Sequence, residues 1–377
     1  MSDEVRLGII GTGQIGKRHL SAYAGGRQRD PSAGPIPGVR MVAACDVNEA
    51  EARRVADEYA IPHVFTDFRE LLAMDEIAAV DVCLHNNLHA PVSIAAMQAG
   101  KHVYCEKPLA GSYADAERMC RAAQETGRML AMQLASLFSK ETLAAKRLID
   151  EGHLGKPYYA KSSYYRRRGR PYVDGYGSSS FVQKEVAAGG ALLDMGVYHV
   201  GQMLHLLGNP EVLTVSGATH QEIAMYEQRR AESRYGVEEL GLGFVRLADD
   251  ITFFIEEAWA IHLGGTDGSK LVGARGGITL SPFAYHTTLG DMEMNAGFDL
   301  DSALTRWQRV FPETNAYLSP QHHWAAALRG EVPLLPSAAV GLNTMLISEG
   351  IYLSQQLGRE VTAREVKERS VSTALKL

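Results

Sequence analysis

A glycine-rich segment near the start of the chain constrains the fold more than any other feature. The apolar run VRLGII (5–10) is followed at once by the pattern G-x-G-x-x-G and then by a helix-forming stretch. In this setting the first glycine permits a tight turn, the second lets a pyrophosphate approach the backbone, and the third lets helix and strand pack closely. The helix start also offers free N–H groups to phosphate. The spacing therefore predicts a dinucleotide site formed by Gly11, Gly13, Gln14, Ile15 and Gly16.

Short apolar runs alternate with amphipathic segments over the first third of the 377 residues. This alternation predicts a doubly wound parallel sheet with helices on both faces, the Rossmann arrangement. After MLAMQ (129–133), strand-like runs follow one another without helices between them, which predicts an open, mostly antiparallel sheet. We therefore expect an α/β protein with a dinucleotide-binding domain at 1–134 and an α+β domain at 135–377 for substrate binding and oligomerisation.

An aspartate follows the second predicted strand, VRMVAAC (39–45). Asp46 lies 30 residues after Gly16, more than the roughly 20 usual for the acidic residue that binds the adenosine ribose. The Gly- and Pro-rich segment 25–38 is interpreted as a surface insertion that accounts for the surplus. A carboxylate here accepts hydrogen bonds from the ribose and repels a 2′-phosphate, so we expect NAD rather than NADP. The alternative is that Asp46 only caps the following helix.

Charge and composition exclude several classes of protein. A net charge of −6 provides no positive field for nucleic acid or an anionic membrane. No stretch approaches the roughly 20 apolar residues of a membrane span, and MSDEVRLGII lacks the basic start of a secretion signal. The four cysteines show no C-x-x-C spacing. We therefore expect a cytoplasmic protein with no nucleic-acid or membrane partner.

Several further motifs carry a resemblance to a known family. They are NNLHAP (86–91), AGKHVYCEKPLA (99–110), GGALLDMGVYH (189–199), EEAWAIH (256–262) and the closing ISEGIYLSQQLGREV. Together with the glycine-rich motif they extend over nearly the whole chain, which resembles the Gfo/Idh/MocA oxidoreductases. The resemblance implies hydride transfer between NAD and a secondary ring hydroxyl or ketone of a sugar, sugar derivative or cyclitol. It also implies a homodimer or homotetramer.

The resemblance assigns roles to residues of two motifs. At Glu106-Lys107-Pro108 it implies that Lys107 touches both nicotinamide ribose and substrate, with Glu106 beside it in the cofactor site. In the 86–91 segment it implies a cofactor loop with Asn86 and His89. The residues themselves agree, because a lysine at the carboxyl edge of a parallel strand lies where such sheets bind ligands. Its ammonium can stabilise an alkoxide as a hydroxyl loses its proton.

The second half of the expected catalytic set departs from the family pattern. Members usually carry an aspartate followed four residues later by a catalytic histidine, whereas Asp194 is followed there by Tyr198, with His199 one residue later. On a helix turning ~100° per residue, Tyr198 lies about 40° from Asp194 and His199 about 140° away. Asp194, Tyr198, Gln202 and His205 would then share one polar stripe. We expect Tyr198 to act as acid and base, its pKa lowered by Lys107, and Asp194 to bind substrate or orient its partner; His199 as the base is the alternative.

Weaker candidates lie in the second half of the chain. Arg168, in the run RRRGR (166–170), could bind an acidic or phosphorylated substrate, although a charge run is more often a solvated loop. His262 could reach the sugar, and a structural histidine is an equal alternative. The histidines show no H-E-x-x-H or similar spacing, so we expect no metal.

Two other functions fit the same motifs. The enzyme could keep NAD tightly bound and recycle it within each turnover, as a glycosidase acting through a keto-sugar or an aldose–ketose oxidoreductase would. It could also be a non-catalytic sensor of sugar or nucleotide, although a sensor need not keep Lys107, Asp194 and Tyr198. Which sugar is bound depends on residues outside the motifs and is not predicted.

Overall fold

The computed structural model describes residues 4–26 and 34–377, and its first sheet is parallel throughout. Its strands are β1 (Val5–Ile10), β2 (Val39–Cys45), β3 (His63–Phe65), β4 (Ala79–Val82), β5 (His102–Cys105) and β6 (Leu130–Met132). The helices between them are α1 (Gln14–Tyr23), α2 (Glu49–Tyr59), α3 (Phe68–Leu72), α4 (Asn86–Gln98) and α5 (Tyr113–Thr126). The strand order is β3-β2-β1-β4-β5-β6, which confirms the predicted doubly wound sheet. Part of the predicted insertion 25–38, residues 27–33, lies outside the described residues.

The second sheet has nine strands. They are β7 (Pro157–Tyr165), β8 (Val212–His220), β9 (Leu240–Leu247), β10 (Ile251–Ala258), β11 (Lys270–Gly273), β12 (Gly277–Leu280), β13 (Phe283–Leu289), β14 (Met292–Gly297) and β15 (Val361–Thr362). Their order is β14-β13-β12-β11-β7-β10-β9-β8-β15. The central pair β7–β10 is parallel and the other described pairs are antiparallel. The predicted mostly antiparallel sheet is confirmed.

Eight α-helices follow β6 along the described part of the chain. They are α6 (Lys140–Asp150), α7 (Lys184–Ala187), α8 (Val197–Leu206), α9 (Glu227–Ser233), α10 (Leu300–Val310), α11 (Pro320–Leu328), α12 (Ser337–Leu357) and α13 (Ala363–Arg369). One cluster of buried apolar side chains includes Val80 and Val103 of the first sheet together with Phe253 and Leu271 of the second. The two sheets therefore share a core. No helix in residues 4–26 and 34–377 has the length and apolar character needed to cross a membrane.

The segment through Asp194 and Tyr198 is helical as expected, but its first turn does not have the uniform α-helical geometry expected from the sequence. A π-helical turn covers Leu192–Gly196, and α8 begins only at Val197. The buried carboxylate of Glu238 accepts hydrogen bonds from the N–H groups of Gly190 (2.8 Å) and Leu192 (3.0 Å), where this turn starts. Because a π turn holds more residues than an α turn, the uniform rotation used to compare the faces of this helix does not apply here.

Candidate active site

The polar site lies where β5 ends and faces the π-helical turn of the second half. Lys107 follows two residues after β5, and its Nζ donates to Asp194 Oδ1 at 2.8 Å and to the Asp194 carbonyl at 2.7 Å. The other carboxylate oxygen, Oδ2, accepts from the indole N–H of Trp259 at 3.0 Å. Trp259, just beyond β10, is fully buried. Residues from three distant parts of the chain therefore fix one ion pair.

Lys107 and Asp194 both stay charged although they are largely buried. The side chains of Lys107 and Asp194 are 12% and 19% exposed. Burial alone would raise the pKa of Asp194, but the Lys107 ammonium holds that pKa below its ordinary value. Burial would likewise lower the pKa of Lys107, but Asp194 keeps it above its ordinary range. Both groups are therefore ionised at neutral pH, and the Lys107 ammonium is held as a hydrogen-bonding cation.

Tyr198 lies beside this pair, with its ring centre 4.9 Å from Lys107 Nζ. The contact is between the cation and the ring, a cation–π geometry. Burial raises the pKa of Tyr198 by more than Lys107 lowers it, so the pKa stands above its ordinary value. Lys107 lowers this pKa as expected, but the expected net lowering is wrong for the free protein, because loss of water around the phenol outweighs the neighbouring charge. Tyr198 is a neutral phenol at neutral pH.

His199 belongs to a neighbouring polar group. Its Nδ1 lies 2.9 Å from Oε2 of Glu257, which is fully buried on β10 and also accepts from Ser162 Oγ. The His199 ring stacks on Tyr164 at 4.7 Å between centroids and is 21% exposed. The structure thus separates Tyr198, against Lys107, from His199, against Glu257.

The rest of the expected polar stripe does not reach the site. Gln202 is buried and donates to Thr142 Oγ1 at 2.6 Å. Burial lowers the pKa of His205 to about 4, with Lys146 and Asp150 as its charged neighbours. Neither residue belongs to the polar cluster around Lys107, since both lie further along α8.

The glycine-rich loop has the geometry that a dinucleotide requires. Gly11 has φ +96°, and a Cβ there would lie 2.3 Å from the Cys83 carbonyl oxygen. A Cβ on Gly16 would lie 2.0 Å from the Gly11 oxygen, whereas one on Gly13 would meet no atom within 4 Å. Helix α1, opened by Gln14 and Ile15, has no side-chain cap at its start. The backbone is thus crowded where the fold needs glycine and open where a phosphate would approach, so these residues fit the cofactor.

Asp46 supports this loop from the end of β2. Its Oδ2 accepts from the backbone N–H of Thr12 at 2.8 Å and from Thr12 Oγ1 at 3.1 Å. The residue that caps α2 is Asn48, whose side chain accepts from Glu51 N at 3.2 Å. The alternative in which Asp46 serves as the helix cap is therefore wrong. Its half-buried carboxylate stands at the strand end where a ribose is bound in this fold.

Three expected cofactor residues make internal contacts. Asn86 donates its side-chain amide to the Ala187 carbonyl at 2.8 Å. His89 is fully buried, with ring nitrogens 2.8 Å from the Pro108 oxygen and 3.1 Å from the Leu84 oxygen. Glu106 is also buried and accepts from the Lys107 N–H at 3.0 Å. The direct contact expected of His89 and Glu106 gains no support from this placement, in which both hold the loop from behind.

The weaker candidates lie at the periphery. Arg168 is 52% exposed and packs over the Tyr226 ring at 5.6 Å. His262 is exposed in the loop after β10. Within the same basic run it is Arg166 whose charge acts on Asp194, and it lies over the Tyr176 ring at 5.3 Å.

The sequence motifs missed the residues that hold the set in place. Trp259 and Glu257 both lie in the EEAWAIH segment. That segment carries the family resemblance but predicts no role for either side chain. His19 and Asp81, whose side chains contact each other, belong to no motif of their own. Within the described residues there is no cluster of three or more histidine, cysteine or carboxylate side chains able to hold a metal ion.

The doubly wound sheet carries an open glycine-rich turn, and the buried Lys107 ammonium faces the carboxyl edge of the same sheet. This combination is typical of a dinucleotide-dependent oxidoreductase. Two family models agree with this class. One, described as an oxidoreductase family with an NAD-binding Rossmann fold, matches residues 5–134, and the GFO/IDH/MocA C-terminal domain matches residues 142–279. The chain belongs to the Gfo/Idh/MocA oxidoreductase family.

Two known relatives are similar to this chain over nearly its full length. D-glucoside 3-dehydrogenase of Escherichia coli (strain K12) is 26% identical over 368 residues, which are 96% of this chain and 98% of the relative. The scyllo-inositol 2-dehydrogenase (NAD(+)) of Bacillus subtilis (strain 168) is 25% identical over 345 residues, 91% and 92% of the two chains. A levoglucosan dehydrogenase solved with NADH and levoglucosan has the same fold, with a TM-score of 0.74 at 21% identity over 96% of this chain and 99% of that one.

Proposed function

We propose that the protein is an NAD-dependent dehydrogenase that acts on a secondary ring hydroxyl of a sugar, sugar derivative or cyclitol. The observation that carries the proposal is the Lys107–Asp194 ion pair, with Tyr198 against it, at the carboxyl edge of the dinucleotide-binding sheet. The relatives described above are named as dehydrogenases of a glucoside, an inositol and levoglucosan, and the intact polar set argues against a sensor without activity.

Each residue of the set has one task. Bound NAD supplies the hydride acceptor for the carbinol carbon. Lys107 donates a hydrogen bond to the substrate oxygen and stabilises the negative charge that grows there. Asp194 keeps Lys107 protonated and aimed, and Tyr198 exchanges the hydroxyl proton. Because its phenol is neutral at rest, Tyr198 can donate a proton directly when a ketone is reduced. When an alcohol is oxidised, Tyr198 must lose its phenolic proton before it can accept the proton of the substrate hydroxyl.

A second candidate for the base is His199. Its Nδ1 faces the buried carboxylate of Glu257, a contact that orients an imidazole in many catalytic sites. We keep Tyr198 as the first choice because its ring, unlike that of His199, contacts Lys107.

A substrate panel tests the proposed activity. Purified protein is given neutral pyranosides, sugar acids and inositols with NAD or NADP, and formation of the reduced cofactor is followed by absorbance. A stoichiometric rise with at least one ring alcohol is expected. Product without net NADH would instead support internal recycling of bound NAD, and sugar binding without any turnover would support a sensor.

The position of Asp46 predicts a preference for NAD. The expected kcat/KM is higher with NAD than with NADP, because the carboxylate repels a 2′-phosphate. Asp46→Ala should reduce that ratio more than it reduces kcat with NAD, since the group is remote from the reacting atoms. A wild-type preference for NADP would contradict the assignment.

We also propose that the protein self-associates through the open face of its second sheet. Phe254 of β10 is 41% exposed there and packs edge-on against Phe244 (5.1 Å) and Tyr159 (6.0 Å). An aromatic patch on an uncovered sheet face is typical of an interface between subunits. A homodimer or homotetramer would cover it.

A further inference from the structure

A buried ionic cluster lies directly behind the turn that carries Lys107. His19, on the inner side of α1, is 2% exposed. Its Nδ1 lies 2.9 Å from Asp81 Oδ2 and its Nε2 lies 2.7 Å from Glu106 Oε1. The second oxygen of Asp81 accepts from the Tyr23 hydroxyl at 3.2 Å. None of these four ionisable groups is used by the reaction proposed above.

The geometry favours a charged imidazole. Both ring nitrogens of His19 face carboxylate oxygens, and only the imidazolium carries an N–H on each nitrogen. Burial alone would lower the pKa of His19, but its surroundings hold that pKa well above its ordinary value. The nearby Cys83 is a neutral thiol, because burial raises its pKa to about 11. Burial raises the pKa of Asp81. Burial would also raise the pKa of Glu106, but His19 holds that pKa below its ordinary value, so Glu106 is the carboxylate that balances the charge.

The cluster joins the cofactor helix to the catalytic turn. Glu106 uses one carboxylate oxygen for His19 and the other, Oε2, for the backbone N–H of Lys107 at 3.0 Å. The Glu106 N–H itself donates to the Val82 carbonyl at the end of β4. Rotation of the Glu106 side chain would therefore release the backbone from which the Lys107 ammonium projects.

We propose that His19, held as an imidazolium between Asp81 and Glu106, is a positioning residue that locks the Glu106–Lys107 turn against the first helix and so keeps the Lys107 ammonium on Asp194. The proposal rests on the proposed function, in which that ammonium acts on substrate. It differs from a purely structural role because only the Glu106 side of the cluster leads to Lys107, whereas the Asp81 side leads to Tyr23.

Two substitutions of His19 separate these roles. An asparagine amide occupies the place of Nδ1 and can still donate to Asp81, while a glutamine amide reaches the place of Nε2 and can donate to Glu106. Both remove the charge and cost stability. We expect His19→Asn to lower kcat by about tenfold or more, with NAD affinity little changed, and His19→Gln to keep most of the activity at a similar melting temperature. Equal kcat losses in the two variants, or no loss, would overturn the proposal.

If neither variant folds, isosteric changes of the carboxylates decide. Asp81→Asn leaves the imidazolium on Glu106 and should keep kcat within about threefold, whereas Glu106→Gln should lower it. A loss in Asp81→Asn equal to that in Glu106→Gln would refute the proposal.

A readout that does not need turnover separates this inference from the proposed function. Crystal structures of the variants that fold report the Lys107 Nζ–Asp194 Oδ1 contact, 2.8 Å in the wild type. We expect it to be broken in His19→Asn or, failing that variant, in Glu106→Gln, and kept in the matched partner. An unchanged contact in both would overturn the positioning role even if the enzyme were active. A wild type inactive on every sugar would count against the proposed function alone.

Discussion

Lys107 is the residue on which most of the site depends. Its ammonium binds Asp194, lies over the ring of Tyr198, and projects from a turn whose backbone is fixed by Glu106. The sequence pattern located Lys107 and Asp194, because E-K-P follows a strand and Asp194 stands in a family motif. It could not locate Trp259 as the partner of Asp194, since that contact forms only after two distant segments fold together.

Replacement of Lys107 should affect catalysis far more than cofactor binding. Lys107→Met keeps the length of the side chain and removes the charge, so the alkoxide loses its stabilising partner and the pKa of Asp194 rises. Steady-state kinetics should show kcat reduced by about a hundredfold or more, with NAD affinity largely kept. Lys101→Met is the matched control, because that lysine at the other end of β5 donates to the Met74 carbonyl away from the site. Activity within a few-fold of wild type in Lys107→Met would place the catalytic cation elsewhere.

Element boundaries followed from the sequence where one local pattern decides them. The strand predicted over 39–45 is β2, with the same bounds. The π-helical turn at Leu192–Gly196 was not predictable, because its start is fixed by Glu238, which lies more than forty residues away. That turn changes which side chains share a face of the helix. The contacts of Tyr198 and His199, rather than their helical positions, therefore distinguish the two residues.

The glycine-rich loop allows a matched pair of substitutions at the scale of one helix. Gly13→Ala meets no atom within 4 Å, whereas Gly16→Ala places its Cβ 2.0 Å from the Gly11 oxygen. Gly13→Ala should therefore keep its melting temperature and lose NAD affinity, while Gly16→Ala should lose both because α1 must move away from β1. Calorimetric titration with NAD and thermal unfolding would report the two effects. Unchanged NAD binding in Gly13→Ala would place the pyrophosphate elsewhere.

At the scale of the molecule, helix α11 from the last fifth of the chain packs against the first sheet. Trp324 of α11 is fully buried against the first sheet, stacked on Tyr104 at 5.6 Å between centroids. The order of strand-like and helix-like segments predicted both sheets but carried no information on this contact. A domain defined as residues 1–134 would expose that surface, because part of its core comes from beyond residue 300.

The open face of the second sheet predicts the assembly state. Phe254→Glu places a charge in the aromatic patch, so it should shift the protein from a dimer or tetramer toward monomer in light scattering coupled to size exclusion. Val371→Glu is the control, since Val371 is an exposed apolar residue of the C-terminal segment. A monomeric wild type, or a Phe254→Glu variant with unchanged mass, would contradict self-association through this face.

The most direct test of the reacting set is the kcat of Tyr198→Phe compared with that of His199→Asn. Loss of the phenol hydroxyl removes the proton acceptor and should lower kcat by about 10² to 10⁴, whereas His199→Asn should be mild by comparison. Because burial holds the pKa of Tyr198 above its ordinary value, wild-type kcat/KM for oxidation should keep rising into the alkaline range, and Tyr198→Phe should lack that rise. The reverse ranking, with a wild-type profile that levels off near neutral pH, would assign the proton to His199 and its partner Glu257.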